Sequence, residues 1–154
     1  MIARIQRLNG LLGLVPADLV VLLARLGIGA IFLRSGLLKL DGWESGLTLA
    51  LFESEYRLPF LPPELAAPLA MGAELSMPFL LFLGLGTRYA ALALFGMTAV
   101  IQIFVYPNAF DTHAVWAVAL LCLIKFGAGR FSLDHLLKLK MGTAQPAPFG
   151  RGMA

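Results

Sequence analysis

Long apolar runs alternate along this chain with short polar breaks, and the length of the runs sets the first expectation. A bilayer core about 30 Å thick takes about 20 mostly apolar helical residues. Four runs approach that length, at about 17–40, 65–85, 89–106 and 113–130. Pro16 and Asp18 start the first, and Asp41-Gly42 stop it. The turn Gly84-Leu85-Gly86-Thr87-Arg88 is so short that the helices on either side must be antiparallel neighbours. Pro107-Asn108 ends the third run, and Gly127-Ala128-Gly129 interrupts the fourth, which reaches useful length only if Phe131 and Leu133 belong to the interface. The pattern predicts an all-α integral membrane four-helix bundle over 17–137.

Three further segments complete the expected organisation. Residues 1–16 read as a short interfacial segment in which Arg4 and Arg7 lie among Ile2, Ile5, Leu8, Leu11 and Leu12. A secretory signal is the competing reading there, but Arg25 and Arg34 inside the long first run favour an uncleaved helix. Residues 41–64 form an external loop whose Trp43, Leu47, Leu49, Leu51, Phe52 and Tyr56 suggest a short helix or loop on the bundle mouth. That apolar set suits either an aromatic belt or partner docking. Residues 138–154, with Pro146, Pro148, Gly150 and Gly152, read as a disordered tail.

Composition agrees. Of 154 residues 59% are hydrophobic and 14% charged, where an ordinary soluble domain has roughly 25% charged, and the mean hydropathy is +0.83. The net charge of +3 does not indicate nucleic-acid binding, because the basic residues flank apolar runs. Arg4, Arg7, Arg88, Lys125, Arg130, Lys138 and Lys140 sort to one face, whereas Lys39 and Arg57 share the other with Asp41, Glu44, Glu53, Glu55 and Glu64. The positive-inside rule then predicts both termini in the cytoplasm. A single cysteine, Cys122, excludes an internal disulfide and a dithiol redox pair.

Charges near the bilayer centre cost about 2.5–3.5 kcal/mol each on insertion scales, so each should pair or serve function. Glu74 lies near the middle of the second run and must be protonated or paired. Arg25 and Arg34, nine residues apart, lie on roughly opposite sides of the first helix. Gly29, Phe32 and Gly36 follow Arg25 on its own face and permit close helix approach, so Arg25–Glu74 is the expected buried ion pair. Such a pair either fixes helix register or serves chemistry.

A second group gathers at the external ends of the helices. Gln102 and Tyr106 share one face, His113 and Trp116 share another across a short turn, and Arg34 and Lys39 end the first helix at that level. Donors, an imidazole and aromatic faces together would suit the two carbonyls of a quinone head group. The bland alternative is an interfacial Tyr and Trp beside a helix-start histidine. No metal-ligand spacing, phosphate-binding glycine motif or Ser-His-Asp arrangement is recognisable, so no intrinsic cofactor and no metal are expected. His113 and His135 lie on opposite sides of the membrane in this topology, which leaves no bis-His haem within one subunit.

Several of these pieces together resemble the DoxX family of small four-helix bacterial inner-membrane proteins. They are Arg25-Leu26-Gly27 with Phe32, Ser35-Gly36 and Lys39; Glu74 ahead of Leu83-Gly84-Leu85-Gly86-Thr87-Arg88; Ile101-Gln102-Ile103-Phe104-Val105-Tyr106-Pro107 with His113 and Trp116; and Gly127-Ala128-Gly129-Arg130-Phe131-Ser132-Leu133-Asp134, where Ala128 replaces the usual Pro. The resemblance covers about residues 20–137. It implies a multi-pass protein of the bacterial inner membrane, in a family linked to thiosulfate:quinone oxidoreduction, to thiol and oxidative-stress complexes, and to metal-handling clusters. The expected function is a membrane subunit of a redox or stress-response complex, handing reducing equivalents from a membrane or periplasmic partner to the quinone pool near Arg34, Gln102, His113 and Trp116. The rival is a non-catalytic scaffold or small transporter, for which transport would require a homo-oligomer.

Overall fold

The computed structural model describes residues 13–142 together with Gln6 and Gly10. The rest of the expected interfacial segment and residues 143–154 of the expected tail lie outside the described residues. Six helices make up the described chain, with no strand among the described residues beyond an isolated bridge between Leu58 and Leu61. Helix α1 spans Ala17–Asp41, α2 Leu47–Ser54, α3 Pro63–Leu83, α4 Thr87–Val100, α5 Phe110–Phe126 and α6 Leu133–Lys140. Helix α4 continues without a break into a π-helical turn, Ile101–Val105.

Local chemistry explains the boundaries. Helix α1 carries Asp18 in its first turn and Lys39 in its last, charges that complement the helix dipole. Helix α3 opens on Pro63, whose fixed φ and missing N–H suit a first helical position, and closes on Gly84 in the left-handed region (φ 65°). Ser132 caps α6 by accepting from the His135 backbone N–H at 3.2 Å. The expected fourth run ends early because Gly127 (φ 77°) turns the chain at Phe126. Lys138 to Lys140, expected in the tail, instead close α6.

Helices α1, α3 and α4 with its π turn are long and apolar enough to cross a membrane. Helix α5, at 17 residues, is shorter. It packs against α1 and α4, while α3 packs against α1 and α4 from the other side. Between them lies a core of Val21, Ile28, Phe32, Leu81, Leu94, Leu120 and Leu123. The outward faces are equally apolar: Leu23, Leu69, Val115 and Val118 are all strongly exposed. A helix apolar on every side needs a hydrocarbon solvent. Between α1 and α3 the chain forms the short helix α2, whose Phe52 packs with Ala66 and Ala67 of α3.

Candidate functional site

Arg25 is fully buried, yet it does not meet Glu74. Its guanidinium donates to four backbone carbonyls: Nε to Leu81 at 2.7 Å, Nη1 to Ala128 and Phe131 at 2.7 Å each, and Nη2 to Phe82 at 2.9 Å. Leu81 and Phe82 lie in the last turn of α3, where carbonyls run out of i+4 donors; Leu81 also accepts from the Gly84 N–H at 3.1 Å. Ala128 and Phe131 belong to the loop before α6. One side chain therefore ties three segments together. Asp134 supports the same end by accepting from the Gly86 and Thr87 N–H groups at 2.9 and 3.3 Å, capping α4 from a distance, and Asp18 accepts from the Arg130 N–H at 2.8 Å. Gly84 is required here twice over, by its positive φ and by the Arg25 guanidinium, which would lie 2.8 Å from an added Cβ.

The expected Arg25–Glu74 pair is thus corrected. Glu74 pairs with Lys39, whose Nζ lies 2.8 Å from Oε2 and 3.1 Å from Oε1, with both side chains buried (6% and 3% exposed). Helix register is the cause. The backbone of Glu74 lies against Gly36, where an added Cβ would approach its carbonyl carbon to 3.0 Å, and Gly29 lies against Phe82. Glu74 is therefore level with the last turns of α1, and Arg25 with the end of α3. The Lys39 ammonium is completed by Ser35 Oγ at 2.9 Å, and Thr48 of α2 donates to the Lys39 carbonyl at 2.6 Å. Pro78 supplies no N–H to the Glu74 carbonyl four residues earlier, which loosens α3 at the ion pair.

Aromatic rings close this end. Tyr56 lies with its ring centroid 5.6 Å from Lys39 Nζ, tilted against Phe52 at 5.0 Å and edge-on to Tyr106 at 5.6 Å. The Tyr106 hydroxyl donates to Glu55 at 2.7 Å, which holds its phenol well above the usual tyrosine range. Burial raises the Tyr56 phenol too, partly offset by its hydrogen bond with Tyr106. Beside Tyr56 is a cavity of about 240 Å³ with almost wholly apolar walls, among them Phe52, Ala70, Met97 and Ile101, with Lys39 and Glu74 also among its lining residues.

The expected external group is divided by the structure. Lys39 lines the cavity and Tyr106 braces its rim. Gln102, His113 and Trp116 form a neighbouring cluster: Gln102 Nε2 donates to the Pro107 carbonyl at 2.7 Å, leaving its Oε1 to accept from His113 Nδ1 at 2.7 Å. That contact fixes the imidazole proton on Nδ1. His113 then lies 5.1 Å from Trp116, which lies 5.5 Å from Phe32. Arg34 is exposed and takes part in none of these contacts. Sequence reasoning missed Glu74 as the partner of Lys39, and Tyr56 as the group above the pair. The available signal was spacing: Lys39 lies fourteen residues beyond Arg25, almost four helical turns, and so on the same face. Among the described residues no cluster of His, Cys, Asp and Glu is arranged to hold a metal ion.

The DoxX family profile matches residues 20–107, from the first turn of α1 through the Lys39–Glu74 pair to the end of the π turn. An uncharacterized protein of Haemophilus influenzae is 34% identical over 117 residues, which cover 70% of this chain and 76% of that relative. No solved structure matches. With more than half of its length inside the family profile, including both arginine-bearing and lysine-bearing turns of α1, this chain belongs to the DoxX family.

Proposed function

We propose that this protein is a multi-pass inner-membrane subunit of a redox or stress-response complex. In this reading it is a four-helix bundle with both termini cytoplasmic, and it hands reducing equivalents from a partner protein to the quinone pool. The apolar outward face of α5, with Val115 and Val118 68% exposed, supports a fourth crossing. The observation that carries the functional reading is the apolar cavity of about 240 Å³ with Lys39 and Glu74 among its lining residues. Pockets of this kind, apolar with a few placed polar groups, suit a ring bearing hydrogen-bonding oxygens. The quinone site therefore moves from the expected Arg34, Gln102, His113 and Trp116 to Lys39, Glu74 and Tyr56.

Reducing a quinone to its quinol takes two electrons and two protons. The partner is oxidised in the same turnover and supplies the two electrons, because one cysteine provides no dithiol, and the two protons come from water. On the protein side, Lys39 donates a hydrogen bond to one ring oxygen and Glu74 holds the ammonium in place. Binding of short-tailed ubiquinone and menaquinone analogues to the reconstituted protein, followed by quenching of tryptophan fluorescence, tests the reading. Ala70→Phe and Val100→Phe fill the cavity without touching the ion pair and are expected to weaken binding at least tenfold, whereas Arg34→Leu leaves it unchanged. Equal affinity in both cavity-filled variants would support the scaffold reading instead.

A further inference from the structure

Helix α6 carries the most amphipathic pattern in the chain, and nothing in the proposed function uses it. It is only eight residues long, Leu133–Lys140. Leu133, Leu136, Leu137 and Leu139 are all exposed, as are Phe131 just before it and Met141 just after it. At 100° per residue the four leucines occupy one broad arc, broken only by Lys140 at the last position of the helix, with Asp134, His135 and Lys138 on the other side. Asp134 is the anchor, fixed to the Gly86 and Thr87 amides at the Arg25 end of α3 and α4. The helix is therefore held at the level where the spans end, with its leucines turned away from the protein.

Charge identifies what covers them. Arg88, Lys125, Arg130, Lys138 and Lys140 all lie on the segments that meet at this end. A second copy of the same face would bring like charges together, and so would the basic segment at 1–12. An acidic surface would not. We propose that α6 is an interfacial anchor that inserts its leucines into the acyl boundary of a leaflet rich in acidic phospholipid, with Arg130 and Lys140 meeting the headgroups. This rests only on the spans crossing the bilayer, not on any quinone chemistry.

The test uses the full chain reconstituted into vesicles, with Cys122→Ser and an environment-sensitive fluorophore on Leu136→Cys. In vesicles of phosphatidylcholine with one third phosphatidylglycerol, the label is expected to be quenched several-fold more by brominated acyl chains than by aqueous iodide. Arg130→Glu combined with Lys140→Glu is expected to remove the difference between these vesicles and pure phosphatidylcholine. A parallel label on Leu139→Cys guards against a local effect of the first site. Quenching by iodide alone at both positions would overturn the proposal, as would disulfide cross-linking of Leu136→Cys between two copies in the same vesicles.

Discussion

The two ends of α1 each bury a cation on the same helix face and use it in opposite ways. Arg25 is spent entirely on backbone carbonyls of two other segments, and its five donors suit that task. Lys39 is matched to one carboxylate and one hydroxyl, and beside it the packing opens into a cavity. The first arrangement fixes where three segments meet. The second keeps a charged pair next to empty apolar space, which costs stability.

Mutations can break this contrast in order of expected size. Arg25→Leu removes the donor from four carbonyls, of which only Leu81 keeps another, the Gly84 N–H; at about 1–3 kcal/mol for each unsatisfied group, thermal unfolding in detergent is expected to show a loss of several kcal/mol. Arg25→Lys, with fewer donors and no planar fork, should recover little of it. If the lysine variant matched the native protein, the inner contacts would be ordinary charge compensation.

Lys39→Leu leaves Glu74 buried without a partner and is expected to cost about 3–5 kcal/mol. The double variant Lys39→Leu with Glu74→Leu should restore most of that stability while abolishing quinone binding. Recovery of both properties in the double variant would remove the distinction between the two ends.

Gly36→Ala places a methyl group against the Glu74 backbone, which cannot move aside as a side chain could, and is expected to cost about 1–3 kcal/mol. Gly27→Ala, in open space on the same helix, should instead stabilise by about 0.5–1 kcal/mol, by restricting the unfolded chain. Parallel melting curves decide between close packing at Gly36 and a general glycine effect.

The smallest effect is at the rim. The Tyr106 phenol is raised in the folded protein by its bond to Glu55, so the contact contributes fully below the ordinary tyrosine pKa near 10 and is lost as pH rises beyond it. Tyr106→Phe should leave stability at pH 7 within about 0.5 kcal/mol and remove a late component from the alkaline absorbance titration.

Much of the fold was legible because hydrocarbon demands long apolar runs, and the breaks at Gly42, Gly84 and Gly127 are strong punctuation. The pairing of Glu74 was not, because a run gives the length of a helix but not its height against a neighbour. The stripe of Gly29, Phe32 and Gly36 identifies the face of α1 that α3 meets, but Arg25 and Lys39 both lie on that face; the close approach of Gly36 to Glu74 selects Lys39. Tyr56 was hidden for a different reason. It comes from a loop that folds over the mouth only once α2 has packed on α3, and no periodicity in the sequence encodes that contact.

The π turn at Ile101–Val105 has a consequence for phase. Its Tyr106 N–H reaches back five residues to the Ile101 carbonyl at 2.8 Å. A turn of this type behaves as an α-helix carrying one inserted residue, which adds about 1.5 Å of length but rotates everything beyond it by about 100°. Gln102, inside the turn, faces His113, while Tyr106, the first residue beyond it and in non-helical backbone, reaches Tyr56. Deleting one residue there would keep α4 long enough to span and still uncouple its end from both neighbours, so a change nearly silent in length would act as a change of angle.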